Sequence, residues 1–317
     1  MPHDHHQHHA HGHDHAGPDH AHGHSHTPSS FGTRFAIATA LNLALVVLQL
    51  GYGIAANSVA LIADAGHNFG DVLGLALAWC AHVAAAAPPT RRHTYGFRSA
   101  SILAALANGV ILLVATGAIV LEAIQRLLAP SAVAGTTVML VAGIGIVVNG
   151  IAAWLLMAGE TEDLNVRAAF LHLIADAAVS AGVVVAGGLI LLTGWQWLDP
   201  LASLMISAVI VWSTWGLLRK SVGLSLDAVP QAIDPDAVRG YLQNLAGVVA
   251  VHDLHIWAMS TTETALTVHL VMPNGHPGDA FLRTLCDELR GRFAIGHPTV
   301  QVEVDAEGCV LAPEHVV

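Results

Sequence analysis

Two stretches of the chain carry the same pair of ionisable residues at the same spacing: His67 and Asp71 in HNFGD, and His172 and Asp176 in HLIAD. On a helix, residues four apart share one face, one turn from each other. Two such faces turned together offer two imidazole nitrogens and two carboxylate oxygens, the number and type of ligand that tetrahedral Zn2+ takes. The competing reading is a hydrogen-bonded contact between helices, a common fate of buried polar groups in membranes. The repeat in two segments, with no other His–acid pair in the body of the chain, favours a metal site.

The elements that must position these residues are membrane helices. Of 317 residues, 54% are apolar and only 11% are Asp, Glu, Lys or Arg, against roughly a quarter charged in a soluble domain. Mean hydropathy is +0.59. Six stretches, 35–56, 61–86, 100–121, 133–157, 166–192 and 198–218, are long enough to span a bilayer, which takes about 20 residues of helix. The HxxxD pairs fall in the second and fifth. Ionisable residues at such depth are costly and read as functional. Arg34, Arg91, Arg92, Arg98, Arg167, Arg219 and Lys220 fall on one side of this body and Arg126 on the other. The excess marks the cytoplasmic face and puts both termini there, in a cell-membrane protein whose first residues do not read as a cleavable signal peptide.

Charge divides the chain further. Residues 1–30 carry three acids and no Lys or Arg, residues 31–222 eight of each sign, and residues 223–317 twelve acids against four Arg. The expected organisation is a disordered His-rich tail (1–30), a six-helix transmembrane domain (31–222) and an acidic cytoplasmic domain (223–317). The net charge of −11 argues against nucleic acid as a partner. Twelve histidines lie in 1–30, mostly as HxH and HH, a composition that captures metal without folding. No HExxH, Walker A or GxSxG motif occurs, so the chemistry is not that of a zinc protease, P-loop ATPase or serine hydrolase, and no enzyme activity is expected. Without ATP machinery, movement of a metal would draw on an ion gradient. Because His and Asp bind metal only when deprotonated, protons compete for the same site.

Other polar residues of the body read less sharply. Asp64, one turn before His67, is either an entry-vestibule carboxylate or a solvated helix end. Asp199, before Pro200, is expected to cap the sixth helix. His82 reads as a packed or interfacial histidine, and Asn42, Gln49, Asn108 and Asn149 as interhelical hydrogen-bonding groups. Beyond 223, a helix starting at Asp234-Pro235, strands 248–259 and 264–272, a helix 278–293 and a strand 299–305 give the order αββαβ, a small α+β sandwich. Strand alternation places His252 and His255 on opposite faces. The three cysteines, Cys80, Cys286 and Cys309, form no CxxC pair and suggest neither a disulfide framework nor a thiolate zinc finger.

These features together resemble the cation diffusion facilitator family, in particular its zinc-transporting branch. The resemblance rests on the paired HxxxD motifs and on SVALIADAGHNFGDVLGLALA (58–78), RHTYGFRSASILAALANG (92–109), DPLASL (199–204), VHDLHIWAM (251–259) and GHPTVQVE (296–303). It implies a polytopic α-helical membrane protein with six transmembrane helices and a ferredoxin-like cytoplasmic domain (223–317) that binds metal and dimerises. It also implies a homodimer that exchanges cytoplasmic Zn2+ for protons at His67, Asp71, His172 and Asp176. By the same resemblance, His252, His269 and Glu303, with His297 and Asp305 as further candidates, would hold regulatory Zn2+. Family members often carry an acid after the YGFR signature, where Ser101 stands here. Two alternatives stay open: transport of Co2+, Ni2+, Fe2+ or Cd2+ by the same fold, and a membrane-anchored metal sensor or buffer without flux.

Overall fold

The computed structural model describes residues 33–157, 164–305, 309 and 311; the His-rich segment 1–30 lies outside them. Six helices, α1 (Thr33–Ala55), α2 (Val59–Ala85), α3 (Ala100–Leu128), α4 (Gly135–Met157), α5 (Leu164–Thr193) and α6 (Leu198–Ser225), form a bundle. All six are long and apolar enough to cross a membrane. Helices α3 and α6 run seven residues beyond the ends at 121 and 218 expected from hydropathy. Hydropathy stops at the first charges, whereas the helix continues through Glu122 and Arg126, an i,i+4 ion pair with Nε–Oε1 2.8 Å, and through Arg219 and Lys220.

The outer surface of the bundle is apolar. Leu192 and Trp212 are each 85% exposed and Val114 70%, which suits acyl chains and not water. The interior is built from small residues, among them Ala56, Ala60, Ala63, Val138, Ala142 and Val183. At the α4–α5 seam, a Cβ on Gly135 would lie 3.0 Å from the Gly187 carbonyl oxygen, and one on Gly187 would lie 3.2 Å from that of Gly135. Glycine at both positions lets the two backbones touch.

The turn from α1 to α2 is fixed from a distance. Ser58 caps α2 by accepting from the Leu61 N–H at 3.1 Å, and its hydroxyl donates to Asp199. Asp199 also accepts from the backbone N–H groups of Val59 (2.7 Å) and Ala60 (3.4 Å). The expectation that Asp199 caps its own helix is therefore corrected. It sits inside the first turn of α6, 1% exposed, and places its charge on the orphan N–H groups and positive dipole end of α2. Arg126 locks the same turn by donating to the Asn57 carbonyl at 2.5 Å.

The C-terminal domain follows the expected order: α7 (Pro235–Gln243), β1 (Ala250–Ala258), β2 (Thr264–Val271), α8 (Asp279–Phe293) and β3 (His297–Glu303). β1 pairs antiparallel and β3 parallel with the central β2. Val238, Leu242, Leu285 and Leu289 of the two helices pack on Leu266, Val268 and Leu270 of β2. Asp253 takes φ +50° and bulges β1: His252 pairs with His269 but His255 pairs with Thr267. Three steps on β1 thus match two on β2, so His252 and His255 share a face, against the simple alternation.

The β1–β2 turn reaches the membrane body. Arg98 pairs with Glu263, Ser99 Oγ donates to the Met259 carbonyl at 3.2 Å, and Ser101 Oγ accepts from the Thr261 N–H at 3.1 Å. Asp199→Ala should lower stability by about 2–3 kcal/mol, since it strands buried donors, with Asp199→Asn costing less. Thermal unfolding of the detergent-solubilised protein reads this, and an unchanged midpoint for the alanine variant would refute the capping role.

Candidate metal centre

The structure brings the two HxxxD faces together inside the bundle, and each pair reaches across to the other helix. His67 Nε2 of α2 lies 3.0 Å from Asp176 Oδ1 of α5, and His172 Nε2 of α5 lies 3.0 Å from Asp71 Oδ2 of α2. His172 Nε2 is also 3.7 Å from Asp176 Oδ2. The imidazoles meet edge to face with centroids 6.0 Å apart. Ligand atoms of His67, Asp71 and Asp176 all fall within 4.8 Å of one another, and His172 closes the set through its two aspartate contacts. Asp176 is wholly buried, while the His172 side chain is 47% exposed, so the centre opens on that side. Asp176 Oδ2 is buried and accepts no hydrogen bond among the described residues, while Asp71 Oδ2 has the His172 imidazole against it. A buried carboxylate oxygen without a donor, beside imidazole nitrogens, suits a cation.

Asp64 departs from both sequence expectations: it is neither a vestibule group nor solvated, but fully buried. Gln49 is the interhelical bonding group it was expected to be, donating to Asp64 Oδ2 at 2.6 Å and accepting from Asn68 Nδ2 at 3.0 Å. Asn149 is not: it is fully buried, and neither amide atom has a partner among the described residues. His82 is exposed near the end of α2.

A second cluster lies on the C-terminal sheet. His252 Nε2 is 2.9 Å from Glu303 Oε2, and His269 Nδ1 is 3.0 Å from Glu303 Oε1. Strand pairing sets this geometry, because His252 stands opposite His269 and Glu303 opposite Val271, two residues further along β2. Asp253, at the bulge, bridges His269 (3.3 Å) and His255 (2.8 Å). Cys309 Sγ sits 3.6 Å from His269 Nδ1, and the ligand atoms of His252, His269, Glu303 and Cys309 lie within 4.8 Å of one another. His252 Nδ1 is buried without a hydrogen-bond partner among the described residues. Two imidazoles, a carboxylate and a thiol fit a tetrahedral zinc site. His297 and Asp305 do not join them: His297 opens β3, exposed, against the Tyr95 ring at 5.5 Å, and Asp305 is exposed beyond the strand's end. Sequence reasoning missed Cys309, whose only signal is its place six residues after Glu303, and Asp253, whose role depends on the bulge.

Residues 35–224 match the cation efflux transmembrane domain, and residues 230–305 match the cytoplasmic domain of cation efflux proteins. The chain belongs to the cation diffusion facilitator family. It is a multi-pass membrane protein of cation efflux and not an enzyme. The zinc transporter ZitB of Escherichia coli (strain K12) is 35% identical over 272 residues, covering 85% of this chain and 87% of that protein. The cadmium, cobalt and zinc/H(+)-K(+) antiporter of Bacillus subtilis (strain 168) is 33% identical over 267 residues, with 83% and 85% covered. The metal cation efflux system protein CzcD of Cupriavidus metallidurans is 34% identical over 269 residues, with 84% and 85% covered.

If Cys309 is a ligand, the cobalt-loaded protein should show a thiolate-to-metal charge-transfer band that Cys309→Ser removes, with affinity at the sheet site falling at least about tenfold. Persistence of the band in the variant would dismiss the thiol.

Proposed function

We propose that the chain exports Zn2+ from the cytoplasm in exchange for protons, by alternating access at His67, Asp71, His172 and Asp176. The observation that carries this reading is the crossed His–Asp pairing of α2 and α5, with the buried Asp176 Oδ2 left for a cation. The four groups ligate metal only when deprotonated, so metal and protons occupy the site in turn. One divalent ion replacing two protons leaves the charge of a poorly solvated site unchanged, which avoids the cost of an uncompensated buried charge. Protons arriving from the far side would then displace the metal outward.

Zinc is favoured by the equal share of imidazole and carboxylate ligands and by likeness to the E. coli zinc transporter ZitB. Transport of cobalt and cadmium as well is the second reading, supported by likeness to the B. subtilis cadmium, cobalt and zinc antiporter. Both termini are assigned to the cytoplasm of a cell-membrane protein by the Arg and Lys distribution. The C-terminal domain is assigned to homodimerisation. His252, His269 and Glu303, joined by Cys309, would hold a resident Zn2+ whose chemistry there is structural: a tetrahedral cross-link of β1, β2 and the segment after β3. The His-rich tail would gather metal at the entrance.

The test is Zn2+ flux into proteoliposomes with and without an imposed pH gradient, comparing the wild type with Asp176→Ala. Gradient-dependent flux is expected in the wild type and at least about a hundredfold less in the variant at equal reconstitution. Undiminished flux in Asp176→Ala would refute the site. Deleting residues 1–30 should reduce flux only modestly; complete loss would favour the sensor or buffer instead.

A further inference from the structure

Next to the four-residue centre lies a second, wholly buried polar group that the exchange described above does not use. Asp64 precedes His67 by one turn, about 4.5 Å along the helix, towards the α1–α2 end of the bundle. Its Oδ2 accepts from Gln49 Nε2 of α1 at 2.6 Å and from Ser180 Oγ of α5 at 3.0 Å. Asn68, one turn further along α2, donates to Gln49 Oε1 at 3.0 Å. Gly145 of α4 closes the knot, since a Cβ there would lie 2.9 Å from Ser180 Oγ. Asp64, Gln49, Asn68 and Ser180 are all 0% exposed.

Both donors of this knot converge on one oxygen of Asp64. The other, Oδ1, is buried and accepts no hydrogen bond among the described residues, and neither does Asn68 Oδ1. No described Lys or Arg is bonded to the carboxyl. The titratable groups whose charge reaches it are His67 on its own helix and Asp176 on α5; α1 and α4 offer an amide and a glycine, and Ile119 of α3 with Ile206 and Ile210 of α6 share the apolar core that holds Ala60 and Ala63 of α2. A bare carboxylate with one unpaired oxygen in such surroundings is costly. A carboxylic acid fits them: Oδ2 is its carbonyl oxygen with two donors, and the proton sits on Oδ1.

We propose that Asp64 carries a proton in the transport cycle, taking it from the outer side and passing it to the metal centre as the metal leaves. This rests on the zinc/proton exchange proposed above. In the step, the Asp64 Oδ1–H bond breaks and an N–H bond forms at the vacated His67 Nε2. Water that follows the departing metal bridges the remaining distance. The resulting Asp64 carboxylate then takes a proton from hydronium at the outer face, so one proton enters for each one delivered. The position fits, because α2 begins at the outer end and Asp64 lies between that end and His67.

Asp64→Asn tests this, because the amide oxygen still accepts from Gln49 and Ser180 while nothing there can titrate. In proteoliposomes, the variant should bind Zn2+ and sustain Zn2+/Zn2+ exchange at equal pH within about twofold of wild type. Its flux driven by an acid outer side should fall about tenfold or more. Wild-type gradient-driven flux in the variant overturns the assignment, as does parallel loss of exchange and binding in a folded variant, which marks Asp64 as packing only. Should Asp64→Asn not fold, Asp64→Glu carries the test: it must keep gradient-driven flux with a shifted outer-pH midpoint, and an unshifted midpoint overturns the proposal. A wild type that exchanges zinc but ignores the pH gradient would overturn the antiport reading itself, and this assignment with it.

Discussion

A carboxylate inside a bundle of apolar helices must find a partner for its charge or lose it, and the bundle is arranged around the few places where that happens. Asp71 and Asp176 stand against imidazoles from the opposite helix. Asp199 spends its charge on a hydroxyl and two backbone N–H groups at the start of α2. Asp64 has an amide and a hydroxyl on one oxygen. Each solution requires a particular neighbour at hydrogen-bond distance, so each fixes how two helices approach: α2 on α5 three times, α6 on the α1–α2 turn, and α1 on α2. Apolar packing alone supplies little such direction in a bilayer, where lipid is as apolar as leucine.

What could be read in the sequence was whatever depends on local periodicity. The HxxxD pairs, the six spans and the αββαβ order all follow from spacing and runs of apolar residues, and the structure brings the four residues of the pairs into one place. What could not be read depends on partners remote in sequence. Nothing near Asp199 says that its acceptor face meets a helix start about 140 residues earlier. The burial of Asp64 follows from Gln49 and Ser180, which lie on different helices. His252 and His255 share a face only because Asp253 adopts a left-handed backbone conformation, which one-in-two alternation cannot register. Cys309 follows β3 in sequence with no pattern around it, and its place beside His269 is visible only in the structure.

The two halves of the chain meet through a narrow contact. Backbone groups of the β1–β2 turn bond to Ser99 and Ser101, and Glu263 holds Arg98, at the start of α3. Ser101, three residues after Arg98, offers a hydroxyl that accepts from the Thr261 N–H. The other end of the same two strands holds His252 and His269, so β1 and β2 physically join that cluster to the loop between α2 and α3. Tyr95 against His297 adds β3 to the contact.

The glycine seam of α4 and α5 has a consequence for how firmly a cation is gripped. With backbones touching at Gly135 and Gly187, α5 packs extensively on α4 and meets α2 only slightly. His172 and Asp176 therefore stand on a helix braced mainly by α4, and His67 and Asp71 on one braced mainly by α1 and α3. A shift of α5 against α2 would withdraw two donors together, leaving a chelate of four teeth with two.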